Sequence, residues 1–231
     1  MSEPVLKAII KLFALVAKED TVTNQEREYI EVFLSDHLNQ KSVQNHLRLF
    51  DEYAREASGK LGKSDQESID KLCLQINKEA DQKQKTIIIV ELISLILADG
   101  SITTVEESLV RSIGQALNIT SSDIDLIKTF IGSKSISVID NSNILIISSG
   151  GAHGSSTQII KRGDLDGFMS VLYLKSTNLF FFRYLGHSDV YLNGVPQKSG
   201  SIHVLATGSI VRWGTVDAVY YGEILNKFKN K

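Results

Sequence analysis

Of the 231 residues only Cys73 is a cysteine, so no disulfide can close within the chain and a reducing compartment is the default. Long hydrophobic runs are lacking too. Ile87-Ile88-Ile89-Val90 is stopped by Glu91, far short of the roughly 20 apolar residues that span a bilayer. Neither sign of charge is in excess: 25 Lys and Arg face 27 Asp and Glu, for a net charge of −2. That balance supplies no electrostatic drive towards nucleic acid or anionic membranes. A secretory leader is missing as well, because Met1-Ser2-Glu3-Pro4 runs into an amphipathic stretch carrying Lys7 and Lys11. These absences point to a cytoplasmic chain that binds no nucleic acid and does not itself insert into a membrane.

Enzyme signatures are also lacking. Gly150-Gly151-Ala152-His153-Gly154-Ser155-Ser156 is the one tempting glycine-rich loop, but a P-loop needs G-x-x-x-x-G-K-[ST] and the lysine is missing. There is no G-x-S-x-G elbow. His37, His46, His153, His187 and His203 show neither H-x-x-x-H spacing nor a cysteine partner, which speaks against zinc. Phe180-Phe181-Phe182 could offer a stacking face to nucleic acid. Few basic residues adjoin it, however, and consecutive strand residues point to opposite faces, so at least one of the three belongs to a core. The chain reads as a non-enzyme without catalytic residues.

What is present divides in two. Hydrophobic residues make up 42% of the chain and charged residues 23%, enough for one large domain or two small ones. Up to about Gly132 apolar residues recur at helical spacing, as in Ile9, Leu12, Phe13, Val16 and Tyr29, Ile30, Phe33, Leu34. Beyond it, short β-branched and aromatic runs such as 144–147, 171–174, 179–184 and 190–192 alternate with Gly, Asn, Ser and Asp, and most of the glycines lie there. The pattern predicts about seven helices over 1–132, a short linker at Ser133-Lys134-Ser135, eight or nine strands over 136–225, and the opening of a second linker at 226–231. The helical half repeats itself: residues 9–34 align without a gap on 89–114, pairing Ile9 with Ile89, Leu12 with Leu92, Val16 with Ile96 and Glu26 with Glu106. Two copies are too few for a solenoid and predict a pseudo-symmetric bundle of two helix-turn-helix units.

Each copy places an acidic turn between its helices. Glu19, Asp20, Asp99 and Glu106 are hard oxygen donors that could gather a divalent cation, the one cofactor this chain suggests. A simpler role competes with that one. Thr23-Asn24-Gln25-Glu26 and Thr103-Thr104-Val105-Glu106 both fit the capping box, with threonine at the N-cap and glutamate three residues on. Asp99-Gly100 is a sound turn dipeptide, and no EF-hand run is present. Capping is the favoured reading, and the cation site stays open.

Leu97-Ala98-Asp99-Gly100-Ser101-Ile102-Thr103-Thr104-Val105-Glu106 resembles the A-D-G-x-I-x-x-x-E signature of the TerB-like tellurite-resistance family, a likeness covering about 1–131. It implies an all-helical bundle with an acidic surface near these turns, and carries that role to Asp99 and Glu106. In the first copy Glu19 and Glu26 correspond, but Lys18 and Asp20 replace Ala and Gly, which tells against a symmetric two-copy metal site.

Tyr191-Leu192-Asn193-Gly194-Val195-Pro196 is a hairpin signal. With the ending Val204 to Gly214 it resembles the last strands of forkhead-associated (FHA) domains, although Gly208-Ser209-Ile210 is one residue shorter than the family's G-D-x-I. The likeness covers about 136–224 and implies a β-sandwich with binding loops at one end. The family's phosphothreonine readers do not carry over. Arg162 is a lone arginine, Met169 stands at the histidine position, and Asp189 would repel phosphate. No phosphopeptide-binding residue is assigned.

The expectation is therefore a TerB-like bundle followed by a degenerate FHA-like β-sandwich. That pairing resembles the N-terminal region of certain bacterial ABC-transporter ATP-binding subunits. It implies a regulatory or docking role towards a protein partner or an adjacent domain of the same polypeptide, with membrane association only through the full-length protein. The alternative is a stand-alone, metal-responsive stress protein of the tellurite-resistance type.

Overall fold

A computed structural model describes residues 2–17, 22–56, 63–151, 154–214 and 217–229. Seven helices come first: α1 (Glu3–Ala17), α2 (Asn24–His37), α3 (Gln40–Glu56), α4 (Lys63–Glu79), α5 (Gln82–Ile96), α6 (Thr104–Ala116) and α7 (Ser121–Gly132). A short 3-10 turn, Ile136–Val138, leads into nine strands: β1 (Ile144–Ser148), β2 (Gln158–Lys161), β3 (Phe168–Leu174), β4 (Leu179–Leu185), β5 (Val190–Leu192), β6 (Val195–Gln197), β7 (Ile202–Val204), β8 (Ile210–Trp213) and β9 (Asp217–Tyr220). A last helix, α8 (Tyr221–Lys229), follows. The chain forms two compact units, Met1–Asp125 and Leu126–Lys231.

In the first unit α1 is buried nearly all round, from Val5 through Ala17, and α5 likewise from Ile88 to Ile96. A helix with apolar residues on every face belongs at the centre of a bundle. Accordingly α1 packs against α3, α4, α5 and α6. The amphipathic α3 and α4 contribute single stripes, Val43, Leu47 and Phe50 from one and Ile69, Cys73 and Ile76 from the other. The eighty-residue offset holds in the packing: Ile9 and Ile89, Leu12 and Leu92, Val16 and Ile96, Phe33 and Ile113 are buried as pairs. Gly114 falls opposite Leu34 in that alignment. A Cβ there would meet Ile124 Cδ1 at 2.4 Å, so the glycine lets α6 and α7 approach more closely than a side chain would allow.

The second unit is a β-sandwich. One sheet has strand order β2-β1-β3-β4-β7 and the other β6-β5-β8-β9. All pairs are antiparallel except β1 with β2, where Leu145 stands beside Gln158 and Ser148 beside Lys161. Alternate residues from both sheets meet in one core: Leu145, Ile147, Met169, Val171, Phe180 and Phe182 from the first, and Val190, Leu192, Val211, Trp213 and Val219 from the second. The opposite face of the five-stranded sheet is also withdrawn from solvent, at Ile144, Ile146, Leu172 and Phe181. Thus all three consecutive phenylalanines are buried, and none offers a stacking surface. Asn193 (φ 52°) and Gly194 (φ 84°) close the β5–β6 hairpin, both with the positive φ that a type I′ turn requires.

Residues 230–231 lie outside the described residues, and the described part of the expected second linker, 226–229, is not linker. It is helical through Lys229, and Phe228 packs in the sandwich core, its ring 5.4 Å from Tyr173 and 5.7 Å from Phe180. The four-residue step from Ile224 to Phe228 puts both on one helix face. The surrounding Asn and Lys, which suggested a polar tail, occupy the other face. Ser133 of the expected first linker is buried and lies within the second unit.

Candidate functional site: the acidic turns

Thr103 sits in extended backbone (φ −77°, ψ 160°) immediately before α6. Its hydroxyl oxygen accepts from the Glu106 amide at 3.2 Å, and Glu106 Oε2 accepts from the Thr103 amide at 2.7 Å. Thr23 and Glu26 repeat this at α2 with the same 3.2 and 2.7 Å distances, and the Thr23 hydroxyl also donates to Glu26 Oε2 at 2.9 Å. Each pair closes a capping box, meeting helix donors that would otherwise go unpaired. Glu26 and Glu106 are only 2% and 3% exposed, so both carboxylates turn inwards to the backbone. A third box, unnoticed in the sequence, starts α5: Asp81 accepts from the Gln84 amide, and Gln84 accepts from the Asp81 amide. Its signal was available, since D-x-x-Q ahead of an apolar run obeys the same rule.

Asp99 is exposed and turned to its own loop. Its Oδ1 accepts from the Ser101 amide at 2.9 Å, and Gly100 takes φ 94°. Glu19 and Asp20 lie outside the described residues. Among the described residues no group of three or more His, Cys, Asp or Glu side chains is placed to hold a metal ion. The site thus joins Glu106 to Thr103 and Glu26 to Thr23, and Asp99 to Ser101. Nearby carboxylates have arginine partners: Arg111 bridges Glu107 at 2.9 Å and Asp125 at 2.6 Å, and Arg27 grips Asp51 with two bonds of 3.1 Å. The hydrogen bonds to Asp125 and Glu107 push the Arg111 guanidinium above its ordinary range.

In the sandwich, Arg162 donates to Glu223. Met169 is wholly inside the core and Asp189 is exposed. Of the glycine-rich loop, Ala152 and His153 lie outside the described residues; the Gly154 amide donates to the Ile139 carbonyl at 3.2 Å and the Ser156 amide to Asp140 Oδ1 at 2.8 Å, and just beyond it Thr157 donates to the Gly154 carbonyl at 3.2 Å. Arg183 gave no sequence signal, yet it is buried. It donates through Nη1 to the Phe130 and Ser133 carbonyls, both at 3.1 Å, and burial lowers its pKa.

A tandem of capped helical hairpins around two apolar central helices, followed by a β-sandwich, defines a two-unit chain of mixed α and β structure. The family model for tellurite resistance protein TerB matches residues 6–129, and the chain belongs to that family. No curated protein and no solved structure matches the chain. No helix among the described residues is long and apolar enough to cross a membrane.

Proposed function

We propose that this chain is a non-catalytic, cytoplasmic docking or regulatory region of a larger bacterial protein, an ABC-transporter ATP-binding subunit, in which the sandwich is an FHA-like domain that does not read phosphothreonine. The observation that carries the reading is the union of a TerB bundle with a β-sandwich whose last hairpin turns on Asn193-Gly194. Met169 in the core and Arg162 beside Glu223 support a sandwich used for its surface rather than for a phosphate pocket. On this reading the chain works without a resident cofactor, and its partner is an adjacent domain of the same polypeptide or another protein. The stress-protein alternative draws no support from Glu106, whose carboxylate serves the helix end. The test is to read the gene beyond Lys231 and compare the full-length protein with a form lacking 1–231. A P-loop downstream, with ATP binding kept and its regulation lost on deletion, is expected. A stop codon directly after Lys231 overturns the transporter reading.

A further inference from the structure

We propose that the helical unit holds a binding pocket for a small uncharged, apolar molecule. A cavity of about 340 Å³ lies among α1, α2 and the α4–α5 corner. Native interiors hold few voids larger than a water molecule, and this volume falls in the range of about 300–1,000 Å³ usual for ligand pockets. An engineered void of about 150 Å³, lined by Leu, Ile and Phe, already stays dry and takes up benzene. The walls here are of that kind: Val5, Ile9, Phe13, Phe33 and Ile88, all buried and none with a polar side-chain atom. Phe13 and Phe33 lie 5.6 Å apart at a 55° tilt, giving one side of the cavity an aromatic surface.

The polar side chains of the site, Ser2, Glu79, Gln84 and Glu91, are exposed or half-buried at its rim. All four already have protein partners. The Ser2 hydroxyl donates to Glu79, Gln84 accepts from the Asp81 amide at 2.9 Å in the α5 capping box, and Glu91 accepts from the Tyr29 hydroxyl at 2.5 Å. A ligand therefore binds by its fit to the walls and needs no contact from these four groups. A charge lodged among the five wall residues would shed its water and meet no compensating partner there, which is costly. An uncharged apolar body carries no such cost and gains by leaving water. This pocket lies on neither acidic turn, needs no metal, and is independent of the docking role proposed above.

Ethylbenzene and N-ethylpyridinium have nearly the same shape, but the second carries a positive charge within its ring. Each is titrated into the whole chain and followed by the methyl resonances of Val5, Ile9 and Ile88. Ethylbenzene is expected to shift these resonances, to raise the melting temperature, and to bind about tenfold more tightly than the pyridinium ion. Val5→Phe fills the cavity from its wall and should abolish binding without lowering the melting temperature. The added ring enters empty space, whereas in a filled core it would destabilise. Should that variant fold poorly, Ile87→Trp closes the half-buried rim and should likewise abolish binding. No methyl shift at saturating ethylbenzene, pyridinium binding as tight as that of ethylbenzene, or binding untouched by a folded filling variant would overturn the proposal.

Discussion

Glu106 shows how one side chain can look like a ligand in sequence and act as a cap in structure. It is 3% exposed and its Oε2 meets the Thr103 amide at 2.7 Å, so removing it leaves a helix donor without its partner. Glu106→Ala should cost about 0.5–2 kcal/mol, the range for losing a helix cap, whereas Glu106→Gln keeps the acceptor and should melt near the wild type. Thermal melts in EDTA and in millimolar Ca²⁺ or Mg²⁺ should give the same ranking. A metal stabilisation of several degrees that disappears in both Glu106→Gln and Asp99→Asn would instead make the turn a cation site. Cys73 offers a second residue-scale test. Burial, with a smaller contribution from Asp70, pushes its thiol up to about 11. The folded value is raised, so the contribution is fully present below the unfolded pKa and is lost as pH rises between about 9 and 11. At pH 8 the native chain should react with a thiol reagent far more slowly than the urea-unfolded chain, and equal rates would contradict its burial.

At the scale of elements, α8 decides where the sandwich ends. Phe228 is 8% exposed among Tyr173, Phe180 and Tyr221, and truncating a buried phenylalanine costs about 3–5 kcal/mol. Phe228→Ala should shift the urea midpoint of Trp213 fluorescence downwards by a large fraction of the unit's stability, while Lys227→Ala should leave it within about 0.5 kcal/mol. An unmoved midpoint for Phe228→Ala would mean that α8 lies outside the core. The elements also show what the sequence made legible. The duplicated helices were visible because burial demands apolar residues at matching places, as at Ile9 and Ile89, and the hairpin because Asn193-Gly194 is a chemical requirement of its turn. The last helix was harder to read, because its apolar set of Tyr221, Ile224, Leu225 and Phe228 lies in only nine residues that follow directly on a strand, too short a stretch to separate from the end of the β half. Arg183 was hidden for a different reason. Its bonds run to the carbonyls of Phe130 and Ser133, some fifty positions earlier in the chain, and no local pattern encodes a partner at that distance.

Over the whole molecule, the proposed docking chain without a nucleotide site of its own can be tested on how its glycine-rich loop and its arginines are engaged. Nucleotide binding by a glycine-rich loop depends on free amides that converge on a phosphate, and on a cation beside them. The 150–156 loop lacks the lysine, and the amides of Gly154 and Ser156 already donate to Ile139 and Asp140. A Cβ at Gly154 would lie 2.5 Å from the Asp140 Cα, so this glycine is pressed against that segment. Arg27, Arg111 and Arg162 are each engaged by a carboxylate, Asp51, Glu107 with Asp125, and Glu223. Freeing any of these guanidiniums for a triphosphate would leave its acidic partner beside the incoming negative charge. Titration of Mg-ATP into the 231-residue chain should therefore give no saturable heat, and phosphate release should not exceed that of buffer. If the full-length protein hydrolyses ATP, a form lacking this chain should still bind the nucleotide. A micromolar dissociation constant for the chain alone, weakened by Gly154→Ala, would contradict this reading and place a phosphate site in the loop.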